Sequence, residues 1–313
     1  IGGHGDHLGL GESGASLAKS DEQGQVHAGA DDNASGVAAL MEVAHEMAAA
    51  KVRQERDVIF AVWSAEELGV LGSTHFLKEW KGPKPHAYIN IDMVGRLRDA
   101  LYVQGLGSAK EWRTRFEYWS ERLPITKDQS VGEAKLVTAL DPYLPTDAMA
   151  FYLKEIPILS FFTGSHAEYH SPRDKYQTLN FGGLKTITDT IGYLAKDLSR
   201  ANSNLTWVKV ESGRPQGGES RSFRLYLGTV PDYSQEGVKG VKISGTSKDS
   251  PAESAGLQAG DVIAGLGGIK IESIYDYVYC LQALKADVTV PIQVNRGGRT
   301  VELKITPKLK TGG

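Results

Sequence analysis

The chain has 313 residues, 41% hydrophobic and 23% charged, enough for one large and one small domain with separate cores. Its 35 Lys and Arg against 38 Asp and Glu leave a net charge of −3, which carries no signature of a nucleic-acid or anionic-membrane partner. No apolar run approaches the roughly 20 residues of a membrane span, and a single cysteine, Cys280, excludes an internal disulfide and a multi-cysteine metal site.

Ile1-Gly2-Gly3 reads as the tail of a strand whose beginning is missing, with neither initiator Met nor signal peptide, so a processed or truncated chain is expected. "ASGVAALMEVAHEMAAAK" (34–51) places apolar residues at helical spacing among strong helix formers. "DVIFAVW" (57–63), "AYINIDMV" (87–94) and "IPILSFF" (156–162) are near-continuous apolar runs, as in strands covered by helices on both faces. Residues 113–123 and 184–198 are amphipathic helix candidates. This alternation predicts an α/β fold with a mostly parallel twisted sheet sandwiched by helices, over residues 1–201. Residues 202–219 turn to Ser, Asn, Gly, Pro and Gln and read as a linker. From 220 to 308 short β-type runs surround one helical segment, 273–284, giving a small β-rich domain.

Metal-competent side chains stand where apolar or Gly-rich segments end: His4 in "IGGHGDHLG", Asp32 in "GADDNASG", Glu66 and Glu67 in "SAEELG", Asp92 in "NIDMVG" and His170 in "EYHSPRDK". Singly, each has an ordinary reading. Asp32 and Asn33 suit a helix N-cap, the glutamates suit a helix first turn, Asp92 can end a strand, and the histidines can lie on the surface. Several strand ends of an α/β sheet, however, meet at one crevice. Two imidazoles and three carboxylates suit two zinc ions about 3.5–4 Å apart sharing one carboxylate. The fourth carboxylate is the base that hydrolysis needs.

These motifs, in this order, resemble the M28 family of zinc metallopeptidases over roughly residues 1–198. The resemblance implies the zinc exopeptidase fold and two Zn²⁺ per chain. Asp32 would bridge the metals, His4 and Asp92 would hold one zinc, and Glu67 and His170 the other. Glu66 would be the general base, drawing a proton from the attacking water and returning it to the departing amine. Asp6 resembles the family's acid that orients the histidine ligand by accepting its other ring N–H. Asp31 would shape the turn, and the Asp32–Asn33 peptide bond is expected to be cis. Tyr143, in "LDPYLPTD", aligns with a family tyrosine near the oxyanion, and His166 stands close to His170; either could donate to the intermediate.

The expected activity is removal of N-terminal residues from a peptide substrate. A carboxypeptidase or an N-acyl amino acid hydrolase would share the ligands, and a peptide-binding scaffold with an idle metal is the reading from another class. His4 and Asp92 argue against the single-zinc glutaminyl-cyclase branch. A periplasmic or secreted location follows from the resemblance alone.

"SPAESAGLQAGDVI" (250–263), with a Gly267-Gly268 turn, resembles a PDZ domain over about residues 220–307. Tyr226, Leu227, Gly228 and Thr229 ("YLGT") then correspond to the loop that receives a peptide C-terminus. The alternative is a docking or lid element that binds no peptide.

Overall fold

The computed structural model describes residues 1–12, 16–50, 54–127, 134–144, 146–164, 166–200, 204–210, 225–231, 238–271, 277, 280–281 and 284–309. Six strands form the larger sheet: β1 (Gly2–His4), β2 (Ala61–Trp63), β3 (Tyr88–Ile91), β4 (Ala100–Gln104), β5 (Lys135–Thr138) and β6 (Ile158–Phe162). Their spatial order is β2-β1-β3-β6-β4-β5. All neighbours are parallel except β4 and β6. Within the run 57–63, Ala61 to Trp63 pair in register with Gly2 to His4 of β1.

Residues on β3 alternate between the two faces of the sheet. Ile89 and Ile91 join a core with α1 (Gly36–Ala49), α3 (Trp112–Ser120) and α6 (Phe181–Leu198). Tyr88 joins a second cluster with Trp63, Phe151 and Tyr152. In that cluster α2 (Leu71–Glu79) packs against α5 (Asp147–Tyr152); the short α4 (Pro124–Lys127) lies against α6. Burial of each Leu, Ile or Phe in these clusters contributes roughly 1.5–3 kcal/mol. Part of the expected linker is docked: Val208 donates its N–H to the Ser108 carbonyl at 2.9 Å, and the Val210 N–H reaches the Tyr152 hydroxyl at 2.8 Å.

The C-terminal domain has β7 (Leu225–Tyr226), β8 (Thr229–Pro231), β9 (Val241–Thr246), α7 (Pro251–Ser254), β10 (Val262–Leu266), β11 (Ile269–Lys270), β12 (Val290–Arg296), β13 (Arg299–Ile305) and β14 (Lys308–Leu309). Its main sheet runs β13-β12-β10-β9-β8 over a core that includes Val241, Ile263, Cys280 and Ile292. The expected helix 273–284 lies largely outside the described residues; Tyr277, Cys280 and Leu281 belong to it and are helical.

Candidate metal centre

His4 ends β1, Glu66 and Glu67 follow β2, Asp92 follows β3, and the loop to His170 follows β6. Because these four strands run parallel, their carboxyl ends share one edge of the sheet. Asp32 arrives from a kinked turn, Ala30–Ser35, with a cis peptide bond between Asp32 and Asn33. The Asp174 carboxylate holds that turn, accepting the N–H of Asp31 at 2.9 Å and of Asp32 at 3.1 Å. The Asn33 side chain donates to the Ile91 and His4 carbonyls, fastening the turn to both strands.

The two oxygens of Asp32 face separate groups. Oδ1 lies 3.2 Å from His4 Nε2, which is 3.3 Å from Asp92 Oδ1. Oδ2 lies 3.2 Å from His170 Nε2, which is 3.3 Å from Glu67 Oε1. Tetrahedral zinc with bonds of about 2.0–2.1 Å sets its ligand atoms roughly 3.3–3.4 Å apart, so these spacings fit. Asp32 Oδ2 is buried and makes no hydrogen bond, which otherwise costs about 1–3 kcal/mol. A bound cation would meet that need and neutralise the crowded carboxylates.

Electrostatics separate the carboxylates. Burial alone would raise Asp32, yet the His170 and His4 imidazoles, each 3.2 Å from one of its oxygens, hold it well below the usual carboxylate range. Burial likewise opposes charge on Glu67, but His170 brings it to about 2. Glu66 goes the other way: burial, with the negative charge of Asp147, Glu67 and Asp92, raises it well above its ordinary value against the pull of His4. Burial disfavours charge on His170 too, but Glu67 and Asp32 raise it to about 10.

Three non-glycine residues at this edge have left-handed backbones: Ala65 (φ 56°), Met93 (φ 48°) and His170 (φ 52°). Such conformations cost of order 1 kcal/mol each. Here they turn the chain beside Glu66, Asp92 and His170.

Asp6 differs from its expected contact. The group nearest His4 Nδ1 is the Asp6 backbone carbonyl, at 3.0 Å; the carboxylate oxygen is 3.8 Å away. The carboxylate instead accepts the N–H groups of Glu66 and Glu67. With the Asp6 carbonyl facing the His4 ring, the Asp6 side chain serves the glutamate loop. Tyr143 donates its hydroxyl to the Val210 carbonyl at 3.2 Å and packs edge-on against Tyr152, in the second apolar cluster. His166 is buried, 3.2 Å from Asp31 Oδ2 and 3.3 Å from Glu168 Oε2, with Arg96 on Glu168 at 2.6 Å. Asp31 accepts from the Ser35 hydroxyl and the Gly95 N–H.

Two residues escaped the sequence reading. His7 Nδ1 is 3.0 Å from Glu67 Oε1, and His7, Asp32 and Glu67 form a second group able to hold a metal beside His4, Asp32 and Asp92. The only signal for His7 was a second imidazole in "HGDHLG". Asp174 was visible as the acid of "SPRDK" but without an assigned task.

In the C-terminal domain, Gly228 has φ +76°, and a Cβ there would stand 2.2 Å from Ser250 Cβ. The Leu227 carbonyl accepts from Ala252 and that of Gly228 from Ser247. Thr229 hydrogen-bonds through its hydroxyl to Tyr277.

Comparison with known proteins agrees with this geometry. The profile of Peptidase family M28 matches residues 1–195, and that of the PDZ domain residues 208–306. Leupeptin-inactivating enzyme 1 of Streptomyces exfoliatus is 26% identical over 189 residues, 53% of this chain and 41% of that protein. Leucine aminopeptidase 2 of Trichophyton rubrum is 27% identical over 208 residues, 55% of this chain and 39% of that protein. The chain thus spans about two-fifths of the length of these curated relatives. The crystal structure of the LapA aminopeptidase of Legionella pneumophila superposes with a TM-score of 0.50 at 20% identity, covering 64% of this chain and 51% of that one, a likeness of fold. No described helix is long and apolar enough to cross a membrane.

Proposed function

The chain belongs to peptidase family M28, and from that premise we propose that it is a zinc-dependent exopeptidase that removes N-terminal residues from peptides. The observation that carries this is Asp32, whose two oxygens face His4 with Asp92 on one side and His170 with Glu67 on the other. We assign these five residues to two zinc ions, with Asp32 shared. Bound zinc would supply Lewis acidity toward the scissile carbonyl and toward water.

Glu66 is assigned as general base and then acid. It follows β2 directly, its N–H is held by Asp6, and its raised proton affinity suits a group that must take and return a proton near neutral pH. Adjacent residues project differently, so Glu67 can ligate while Glu66 serves the water. The names of the curated relatives favour action at the amino end.

Glu66→Gln should lower turnover about 10²-fold or more while zinc content stays at the wild-type level; retained activity would remove Glu66 from this role. Hydrolysis of one peptide in free, N-acetylated and C-amidated forms, with a chelated control, tests the end specificity. An aminopeptidase cuts the free and amidated forms and spares the acetylated one. For the PDZ domain we propose capture of a peptide C-terminus at Tyr226 to Thr229, tested by titrating C-terminal peptides; no saturable binding would leave it a docking element. A periplasmic or extracellular setting rests on the family resemblance and is tested by fractionating cells.

A further inference from the structure

We infer that His7 is a positioning residue for one half of the metal centre: its Nδ1–H grips Glu67 Oε1 and fixes the direction in which that carboxylate points. The inference rests on the reading of Glu67 and His170 as ligands of one zinc.

His7 Nδ1 lies 3.0 Å from Glu67 Oε1 and 3.7 Å from Asp32 Oδ2, and its side chain is only 9% exposed. On the other flank of the same Glu67 oxygen stands His170 Nε2 at 3.3 Å, its ring edge-on to His7 with centroids 5.7 Å apart. Glu67 Oε1 is therefore held from one side by His7 and presented to the metal position on the other. An ionised carboxylate only accepts, so the nitrogen facing it carries the proton. The other nitrogen, His7 Nε2, is buried with no hydrogen-bond partner. A single engaged nitrogen, protonated and aimed at a ligand oxygen, describes a donor to the ligand.

The fold makes room for this ring. Gly29 has φ +59°, and a Cβ on it would stand 2.7 Å from His7 Cγ. A glycine three residues before Asp32 thus seats His7 against the turn that carries the shared carboxylate. Groups that orient a ligand from behind typically account for 10–100-fold in metal affinity.

The test measures zinc retained by the full chain across chelator-buffered free zinc concentrations, read by atomic absorption, for wild type, His7→Asn and His7→Leu. Asn places an amide N–H where Nδ1 lies; Leu fills the space without a donor. His7→Leu should lose one of its two zinc ions at about 10–100-fold higher free zinc than wild type, and His7→Asn should follow the wild type. If His7→Leu keeps both ions as firmly as wild type, or His7→Asn is as weak as His7→Leu, the inference fails. Nitrogen-15 NMR of the histidine-labelled wild type gives an independent reading that needs no variant to fold: an Nδ1–H tautomer at His7 supports the inference and an Nε2–H tautomer overturns it. A wild type that binds no zinc removes the functional premise and the inference together, whereas failure of the variants alone leaves the premise standing.

Discussion

The carboxylate of Asp6 accepts the backbone N–H of Glu66 at 3.1 Å through Oδ1, and through Oδ2 the N–H of Glu67 at 3.3 Å. One side chain therefore sets the backbone of both the proposed base and a proposed ligand, while its own carbonyl faces His4. Asp6→Ala strips two partly buried amides of their acceptor, a loss of about 1–3 kcal/mol. Stability by urea denaturation should fall by that order, and kcat should fall more than KM rises because the base is displaced. Asp6→Asn keeps one acceptor oxygen and should lie between. Wild-type kinetics for Asp6→Ala would show that the glutamate loop holds its shape without it.

Gly3 is a second point of close approach. A Cβ there would sit 2.4 Å from the Ile91 carbonyl oxygen and 3.0 Å from Asn33 Nδ2. The first contact is backbone at the end of β3, which cannot swing aside as a side-chain tip can. Gly3→Ala should cost about 1–3 kcal/mol as an overpacked site, and zinc should be released at higher free zinc than from wild type because His4 and Asp92 part. Unchanged stability with unchanged zinc retention would mean that β1 can slide without disturbing the centre.

The five proposed ligands and Glu66 were legible because each stands just past a recognisable strand or in a Gly-rich turn, and parallel strands deliver such positions to one edge. The tasks of His7, Asp174 and the Asp6 carboxylate were not. They depend on contacts between residues 60 to 143 positions apart, His7 with Glu67, Asp6 with Glu66 and Asp174 with Asp31, which no local pattern encodes. Among the strands, neither β4 nor β5 was expected; the "KLVT" of β5 is exposed or half-buried throughout and lacks the apolar run of a buried strand. Tyr143 was singled out by its motif, and what the sequence did not show is that its hydroxyl donates to the carbonyl of Val210, in the docked residues 204–210.

Asp147 provides a pH test. Its side chain is buried, 1% exposed, and accepts from the Ser73 hydroxyl at 2.5 Å. Burial first, and then the charges of Asp92 and Asp6, push its carboxyl up to about 7 against the opposing pull of Ser73 and His4. The unfolded chain returns it to about 3.9. A carboxyl raised on folding supports the native state below the unfolded value, and that support is lost as pH rises toward the folded value. In chelator, so that only the chain's own charges act, wild type should therefore lose stability relative to Asp147→Asn between about pH 4 and 7. Asn is nearly isosteric, stays neutral and still offers Ser73 an acceptor. Urea midpoints for the two proteins should lie close together at pH 4 and separate in favour of the variant at pH 8; a constant gap at both would mean that Asp147 does not ionise in this window.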